Sequence, residues 1–178
     1  MHVLRYAWWA GLLAVVLASC QASQPLPTAV PAPAAQTADA RDSAALAYEL
    51  AAKRWCTNDD ACSLVLCLLD GQDAHGGFDQ RLAGLQARGL APAGWRLQAD
   101  QPVTNGTLAY MLCRALNIKG GIMMHLLPGP RYAYREAEYH GLMPKGSAWE
   151  PLTGPEVVGI MGRAALLKEG QTRLVSVY

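Results

Sequence analysis

Apolar residues recur at intervals of three and four along three segments of the chain, which is the spacing of one face of an α-helix. A threonine stands just before each segment, at Thr57, Thr104 and Thr153, so the segments repeat at about fifty residues. The apolar positions are Ala61, Leu64, Val65 and Leu68; Leu108, Met111, Leu112 and Ala115; and Val157, Ile160, Met161 and Ala164. The pattern predicts three amphipathic helices that begin in the same way.

We interpret the three threonines as helix N-caps. A threonine hydroxyl in this position accepts a hydrogen bond from a backbone N–H of the first helical turn. Glu156 lies three residues after Thr153 and completes the pattern of a capping box, which Asp60 partly imitates after Thr57. The sequence therefore predicts where each of these helices begins.

A second motif, Gly-Leu-x-Pro, ends two other amphipathic stretches at 89–92 and 141–144. The glycine can close a helix in the left-handed conformation, and the proline prevents the helix from continuing. Each motif leads through Trp95 or Trp149 to the next capped helix. With a leading helix over 42–53, we expect an all-α fold. It is a compact bundle of about six helices built from repeated helix–loop–helix units, with little or no β structure.

Two short apolar segments, 122–127 and 173–178, carry the only strand signal in the chain. Each is too short for its periodicity to distinguish a strand from an extended loop. We leave both alternatives open for these segments.

The first nineteen residues have the layout of a secretory signal, with a short basic start and then an apolar run. The run is too short to span a bilayer. It ends in Leu17-Ala18-Ser19-Cys20, which resembles the lipobox of bacterial lipoproteins. The resemblance implies cleavage before Cys20 and attachment of lipid to its thiol. The alternative is an ordinary signal peptide with a cysteine beside the cleavage site.

Residues 20–40 follow as a tether, because prolines alternate there with small and polar residues that cannot bury enough apolar surface to fold. The remaining residues, 41–178, suit one domain. We expect an exported, membrane-anchored protein of the cell envelope. Gln21, rather than aspartate, after the lipidated cysteine points by the same resemblance to the outer membrane, with the domain facing the periplasm.

Charge and motifs exclude several classes of partner and cofactor. The net charge of +1 offers no footprint for nucleic acid, and no Lys/Arg run marks an anionic lipid site. No Cys-x-x-Cys pair and no closely spaced histidine pair predicts a metal site, and no phosphate or dinucleotide fingerprint predicts a cofactor.

Four cysteines follow the lipobox, at Cys56, Cys62, Cys67 and Cys113. Export favours disulfides, and Cys62 and Cys67 point to different sides of one predicted helix, so they do not pair with each other. Cys56–Cys62 with Cys67–Cys113 and Cys56–Cys67 with Cys62–Cys113 remain possible. The alternative is that some of the four are small buried hydrophobic residues.

The stretch from 131 to 139 is the densest in polar and aromatic residues, and at helical spacing four of its side chains share one face. Such a face can bind a sugar or a protein partner through stacking and bidentate hydrogen bonds. The alternative is a solvated flank whose tyrosines cover the core. The candidate binding residues are Tyr132, Arg135, Glu136, Tyr139, Trp95 and Trp149.

The segment 78–167 resembles S-layer homology modules. The features that carry the resemblance are Tyr132-Ala133, Ala137, Gly141-Leu142, and Pro151-Leu152-Thr153 through Glu156. The resemblance implies an all-α bundle of repeats that attaches to cell-envelope polysaccharide. In that family an arginine after the threonine helps to hold an anionic glycan, whereas this chain has Asn58, Asn105 and Gly154 at those places. We therefore expect the glycan site to be lost or rebuilt.

Two functions remain from the sequence. The first is a noncatalytic envelope lipoprotein whose helical domain serves as a structural or binding module for a protein partner or a wall polymer. The second is a small periplasmic enzyme with an active site that no motif marks. Capping and packing explain most of the distinctive residues, which favours the first function.

Overall fold

The structure, a computed structural model, describes residues 41–175. Seven α-helices make up most of this part of the chain. The helices are α1 Ser43–Ala51, α2 Asn58–Asp70, α3 Phe78–Ala87, α4 Asn105–Ala115, α5 Ile122–Leu126, α6 Pro130–Tyr139 and α7 Gly154–Val175. A two-residue strand β1, Arg41–Asp42, pairs antiparallel with β2, Gln72–Asp73. The predicted all-α class is confirmed for these residues. The predicted signal, lipobox and tether in 1–40 lie outside them.

Two short segments that the sequence left as strand or loop contain helix instead. The segment 122–127 contains α5, and α7 continues through 173–175. A helix satisfies its backbone N–H and C=O groups within itself, whereas a strand needs a neighbouring strand to do so. The leading helix is shorter than predicted, since α1 covers Ser43–Ala51.

Helices α2 and α4 form the centre of the fold. Every residue of α4 from Asn105 to Cys113 is buried, and α2 is buried from Asp60 to Cys67. The predicted apolar stripes of α2, α4 and α7 therefore face the core, although Leu68, Ala115 and Met161 are only partly buried. Burial of these stripes is the main favourable contribution to the stability of such a bundle.

The predicted glycine stops are confirmed. Gly89 and Gly141 follow α3 and α6 with φ angles of 69° and 71°. The backbone N–H of the residue after each glycine donates to a carbonyl of the helix that has just ended. Leu90 donates to the Leu85 carbonyl at 2.9 Å, and Leu142 donates to the Ala137 carbonyl at 2.8 Å. Asn117, with φ of 50°, closes α4 in the same way, and the sequence analysis did not identify it.

The loops that enter α2, α4 and α7 meet in a closed ring of backbone hydrogen bonds. The Cys56 N–H donates to the Leu152 carbonyl at 2.9 Å, the Leu152 N–H to the Val103 carbonyl at 3.0 Å, and the Val103 N–H to the Cys56 carbonyl at 2.8 Å. All three residues are buried. We call Cys56, Val103 and Leu152 the junction ring; it joins three loops that are far apart in sequence.

Candidate functional site

The three predicted capping threonines lie one residue after each member of the junction ring. The Thr57 hydroxyl accepts from the Asp60 N–H at 3.2 Å, and the Asp60 carboxylate accepts from the Thr57 N–H at 3.1 Å, so this capping box is complete. The Thr104 hydroxyl accepts from the Thr107 N–H at 3.3 Å. At the third junction, the Glu156 carboxylate accepts from the Thr153 N–H at 2.8 Å and from its hydroxyl at 2.7 Å.

The residue after each threonine has a structural role in this chain. The Asn58 side-chain amide donates to the Gln98 carbonyl at 2.9 Å, and that of Asn105 donates to the Ser147 carbonyl at 2.9 Å. Gly154 has no space for a side chain, because a Cβ there would overlap the Leu50 carbonyl oxygen. Buried residues that join neighbouring loops therefore occupy the positions where the S-layer resemblance implies an arginine that binds ligand.

The hydrogen bond from Asn105 to Ser147 also holds a loop that borders an open groove. The Asn105 Oδ1 atom is buried and accepts no hydrogen bond from the described residues. The groove lies between α6 and this loop and has a volume of about 380 Å³. Pockets of roughly 300 Å³ and above hold small ligands. Its lining residues are Arg131, Tyr134, Arg135, Glu138, Gly146, Ser147, Ala148 and Trp149, and we call it the α6 groove.

Tyr134 joins the two walls of the α6 groove. Its ring is buried, and its hydroxyl donates to the Pro144 carbonyl at 2.7 Å, which ties the loop to α6. Burial and the nearby carboxylates of Glu138 and Glu150 raise the pKa of Tyr134, so it stays a protonated donor. The sequence placed Tyr134 in the aromatic stretch but gave it no role in the site.

Of the six predicted binding residues, Arg135 and Trp149 line the same groove. Trp149 is 67% exposed, which is unusual for so large an apolar ring. Arg131 stands on the same groove wall as Arg135, one helical turn earlier. These three side chains present a rigid aromatic group and two guanidinium groups to the solvent.

The other four predicted residues lie elsewhere, so the single face expected from helical spacing is not a single site. Tyr132 packs partly against the core, and Glu136 accepts from the Gly121 N–H at 3.1 Å because α5 folds over that side of α6. Tyr139 is 84% exposed and packs edge-on against His140. Trp95 is partly buried, with its ring 5.2 Å from that of Tyr110, and serves packing rather than an open site.

No family model, no curated protein and no solved structure matches this chain. Within residues 41–175, no helix is both long and apolar enough to cross a bilayer. The same described residues bring no three His, Cys, Asp or Glu side chains together as ligands of a metal ion.

The four cysteines are buried, and neither of the two disulfide pairings that the sequence left open is formed. Cys56, Cys62 and Cys113 are free thiols in the core, and Cys67 is buried as well. Burial raises the pKa of each of the three thiols to about 12, so they stay protonated and unreactive at neutral pH. The alternative of small buried hydrophobic residues holds for these three.

A buried polar cluster surrounds Asp73, and no sequence motif marks it. Asp73 accepts from the Ser63 hydroxyl at 2.7 Å and from the Arg81 Nε atom, and Arg81 also donates to Asp59 at 2.6 Å. Burial pushes the pKa of Asp73 upward, but the hydrogen bonds from Ser63 and Arg81 outweigh it and hold the pKa below its usual value. The cluster ties α2, β2 and α3 together. The sequence feature that relates to the cluster is Arg81, a charged residue within α3.

Proposed function

We propose that this chain is a membrane-anchored cell-envelope lipoprotein. Its helical domain acts as a noncatalytic binding module of repeated helix–loop–helix units, and the α6 groove binds a protein partner. The lipobox-like motif at Cys20 supports the anchor. The observation that carries the binding function is Trp149, a solvent-exposed tryptophan beside Arg131 and Arg135 on one groove.

The composition of the groove favours a protein partner. Tryptophan, tyrosine and arginine are the residues most enriched at the energetic centres of protein interfaces. Glu138 lines the same groove, so a polyanionic wall polymer would meet a carboxylate there as well as the two arginines. The absence of an arginine after each of the three threonines weakens the case for the polymer further.

Three parallel sets of contacts support the repeat interpretation. Each capping threonine follows a member of the junction ring, and each member donates to one ring neighbour and accepts from the other. The backbone N–H of the residue after each threonine also donates to a carbonyl of a neighbouring segment. Asn58 donates to Gln101 at 2.9 Å, Asn105 to Glu150 at 3.0 Å and Gly154 to Lys53 at 3.1 Å. Such agreement is typical of repeats that stack on one another.

The binding function can be tested by capture of partners from an envelope extract by the chain from residue 20 onward. Trp149→Ala should reduce capture at least about tenfold, since tryptophans at interface centres cost roughly 2 kcal/mol or more when truncated. Trp55→Ala is the matched control, because Trp55 is also exposed but does not line the groove. Circular dichroism checks that both variants fold.

A parallel sedimentation with purified wall polymer separates the two ligands. Tight, salt-sensitive cosedimentation that Trp149→Ala abolishes would replace the protein partner with the polymer. Equal capture by wild type and by both tryptophan variants would remove the α6 groove as the binding site.

The anchor has its own experiment. Cys20→Ser should abolish labelling of the chain by radioactive palmitate and leave the signal uncleaved, because it removes the thiol that receives the lipid. Equal labelling of the wild type and the variant would show that lipid is not attached at Cys20.

A further inference from the structure

A second recess lies on the molecule at the opposite end of α4 from the Thr104 cap. Its volume is about 350 Å³, and it lies between the C-terminal ends of α3 and α4 and the segment that holds α5. Its lining residues are Arg88, Gly89, Leu90, Cys113, Arg114, Asn117, Ile118, Lys119, Gly120, Met124 and Pro128. None of them is acidic, and three are cations. We call it the basic recess.

The three cations are available to an anion. Lys119 forms no ion pair with a described carboxylate. Arg114 lies over the ring of Tyr110, 5.5 Å from its centroid, which holds the guanidinium in place without neutralising it. Arg88 pairs with Asp70 at 2.8 Å, but both side chains are about 40% exposed, and such pairs are weak in water.

Helix dipoles do not cancel these charges. The ends of α3 and α4 that face the basic recess each carry about −0.5 of an elementary charge, or about one negative unit together. Three cations against that one unit and the Asp70 carboxylate leave a surplus of roughly one positive charge. The surplus attracts anions to the recess.

An exposed apolar ridge adjoins the basic recess in the same segment. Ile122, Met123, Leu126 and Leu127 are all exposed, Ile122 at 78% and Leu126 at 69%. We call these four residues the α5 ridge. Single exposed apolar residues are ordinary, but a contiguous patch of large ones marks an interaction surface.

The α5 ridge is held in place from behind. Met124 is buried beneath it and packs closely against Gly120, where a side chain would overlap it. The Glu136 carboxylate, which does not line the basic recess, accepts a hydrogen bond from the Gly121 N–H at the start of α5. The ridge is therefore a feature of the folded domain.

We propose that the basic recess and the α5 ridge together dock the domain on the surface of an anionic phospholipid bilayer. The recess receives the phosphate of a headgroup, and the ridge enters the boundary between headgroups and acyl chains. Charge complementarity and apolar surface in one segment form the pair of signals by which peripheral proteins bind membranes. The proposal does not depend on lipid at Cys20, nor on the α6 groove.

The test is vesicle flotation of the chain from residue 20 onward carrying Cys20→Ser, so that no lipid and no signal segment contributes. Vesicles contain equal parts of phosphatidylglycerol and phosphatidylcholine, or phosphatidylcholine alone. We expect the protein to float with the anionic vesicles at low salt, and binding to fall as the salt concentration rises. Flotation with phosphatidylcholine alone should be at least about fivefold weaker, since each cation near an anionic surface contributes roughly that factor.

Matched variants separate the two parts of the surface. Leu126→Asp should reduce binding about tenfold, because it places a charge where apolar burial is needed. Leu166→Asp is its control, since Leu166 on α7 is equally exposed at 69%. Lys119→Glu should reduce binding about tenfold, whereas Lys145→Glu changes the net charge identically outside the recess. Circular dichroism and the denaturant midpoint check the fold of all four.

Four outcomes would overturn the proposal. The first three are absence of binding to either vesicle, equal binding to both, and equal loss in the paired variants. A fourth is that Leu126→Asp and Lys119→Glu abolish capture of an envelope protein and leave flotation unchanged, which would make the surface a protein interface. None of these results depends on Trp149, so this proposal and that for the α6 groove fail separately.

Discussion

The junction at Thr153 differs from those at Thr57 and Thr104 in the residue that follows the threonine. The backbone hydrogen bonds are alike at all three, but the residue after the threonine is asparagine twice and glycine once. At Asn58 and Asn105 the neighbouring segment is a loop, whose carbonyl the side-chain amide reaches. At Gly154 the neighbour is the C-terminal end of α1, whose carbonyls fill that space.

The conformation of the neighbouring segment therefore determines whether asparagine or glycine fits after the threonine. The Lys53 N–H donates to the Leu50 carbonyl at 2.9 Å, so the turn after α1 brings two carbonyl oxygens close to Gly154. A side chain there would displace backbone, and displacing backbone costs far more than turning a rotamer. An extended loop leaves space for asparagine and gains a hydrogen bond from it.

The largest expected effect is from Gly154→Ala. Its Cβ would overlap the Leu50 carbonyl and lie 2.8 Å from that of Lys53, so α7 and α1 must separate. We expect a loss of about 3 kcal/mol or more in the free energy of unfolding, measured by denaturant titration.

Gly162→Ala is the control for that substitution, because Gly162 lies within the same helix with open space around it. It should stabilise the domain by up to about 1 kcal/mol through helix propensity. If both alanines had the same effect, close contact at Gly154 would not be its cause.

The next effect separates the two asparagines. Asn58→Ala should cost about 1–3 kcal/mol, since it leaves the Gln98 carbonyl without its donor. Asn105→Ala should cost less, because it also removes a buried Oδ1 atom that has no partner. Denaturant midpoints measured side by side decide the order, and the reverse order would show that Oδ1 has a partner.

The capping threonines should differ as well. Thr104→Ala should cost about 0.5–2 kcal/mol, the usual loss for an N-cap hydroxyl that accepts a backbone N–H. Thr153→Ala should lie at the low end of that range, because its hydroxyl bonds the exposed Glu156 carboxylate, which still accepts the Thr153 N–H. Thermal unfolding of both variants measures the difference, and an unchanged midpoint in Thr104→Ala would contradict the cap at that residue.

The smallest effect is a dependence on pH at the first junction. Burial pushes the pKa of Asp60 upward, but the hydrogen bonds from Lys53 and Thr57 prevail and hold it below its usual value. A carboxylate with a lowered folded-state pKa contributes stability above its unfolded pKa and loses it as the pH falls through the folded one. We expect under about 1 kcal/mol of loss from this site between pH 6 and pH 3.

Asp60→Asn isolates that contribution. The variant should be less stable at pH 6 and show a shallower loss toward pH 3 than wild type. Identical pH profiles would mean that the pair of Asp60 with Lys53, whose atoms lie 2.8 Å apart, contributes nothing measurable.

The features that the sequence predicted are local ones. The caps at Thr57 and Thr104, the glycine stops and the apolar stripes all depend on residues within a turn or two of one another, and they hold in the described residues. The Thr153 hydroxyl instead donates to the Glu156 carboxylate. Arg135 and Trp149 were chosen for their chemistry, and the loop before α7 happens to bring them together.

The features that the sequence missed depend on residues far apart in the chain. Asp73 is buried because Ser63 and Arg81, from two different helices, hold it. The basic recess collects cations from 88, 114 and 119, so no basic run marks it. The α7 continuation through 173–175 was missed because a short apolar run has no clear period.

The junction ring has a consequence for the order of folding. Its three members span almost a hundred residues, so a chain still emerging from a ribosome or a translocation pore cannot close it until Leu152 is free. Before that moment the Cys56 N–H has no acceptor in the ring, although hydrogen bonds from Val103 and Asn58 already join the first two segments. The last loop therefore completes the junction ring, and a chain cut short before Leu152 would keep at most 151 of the 178 residues and could not close the ring.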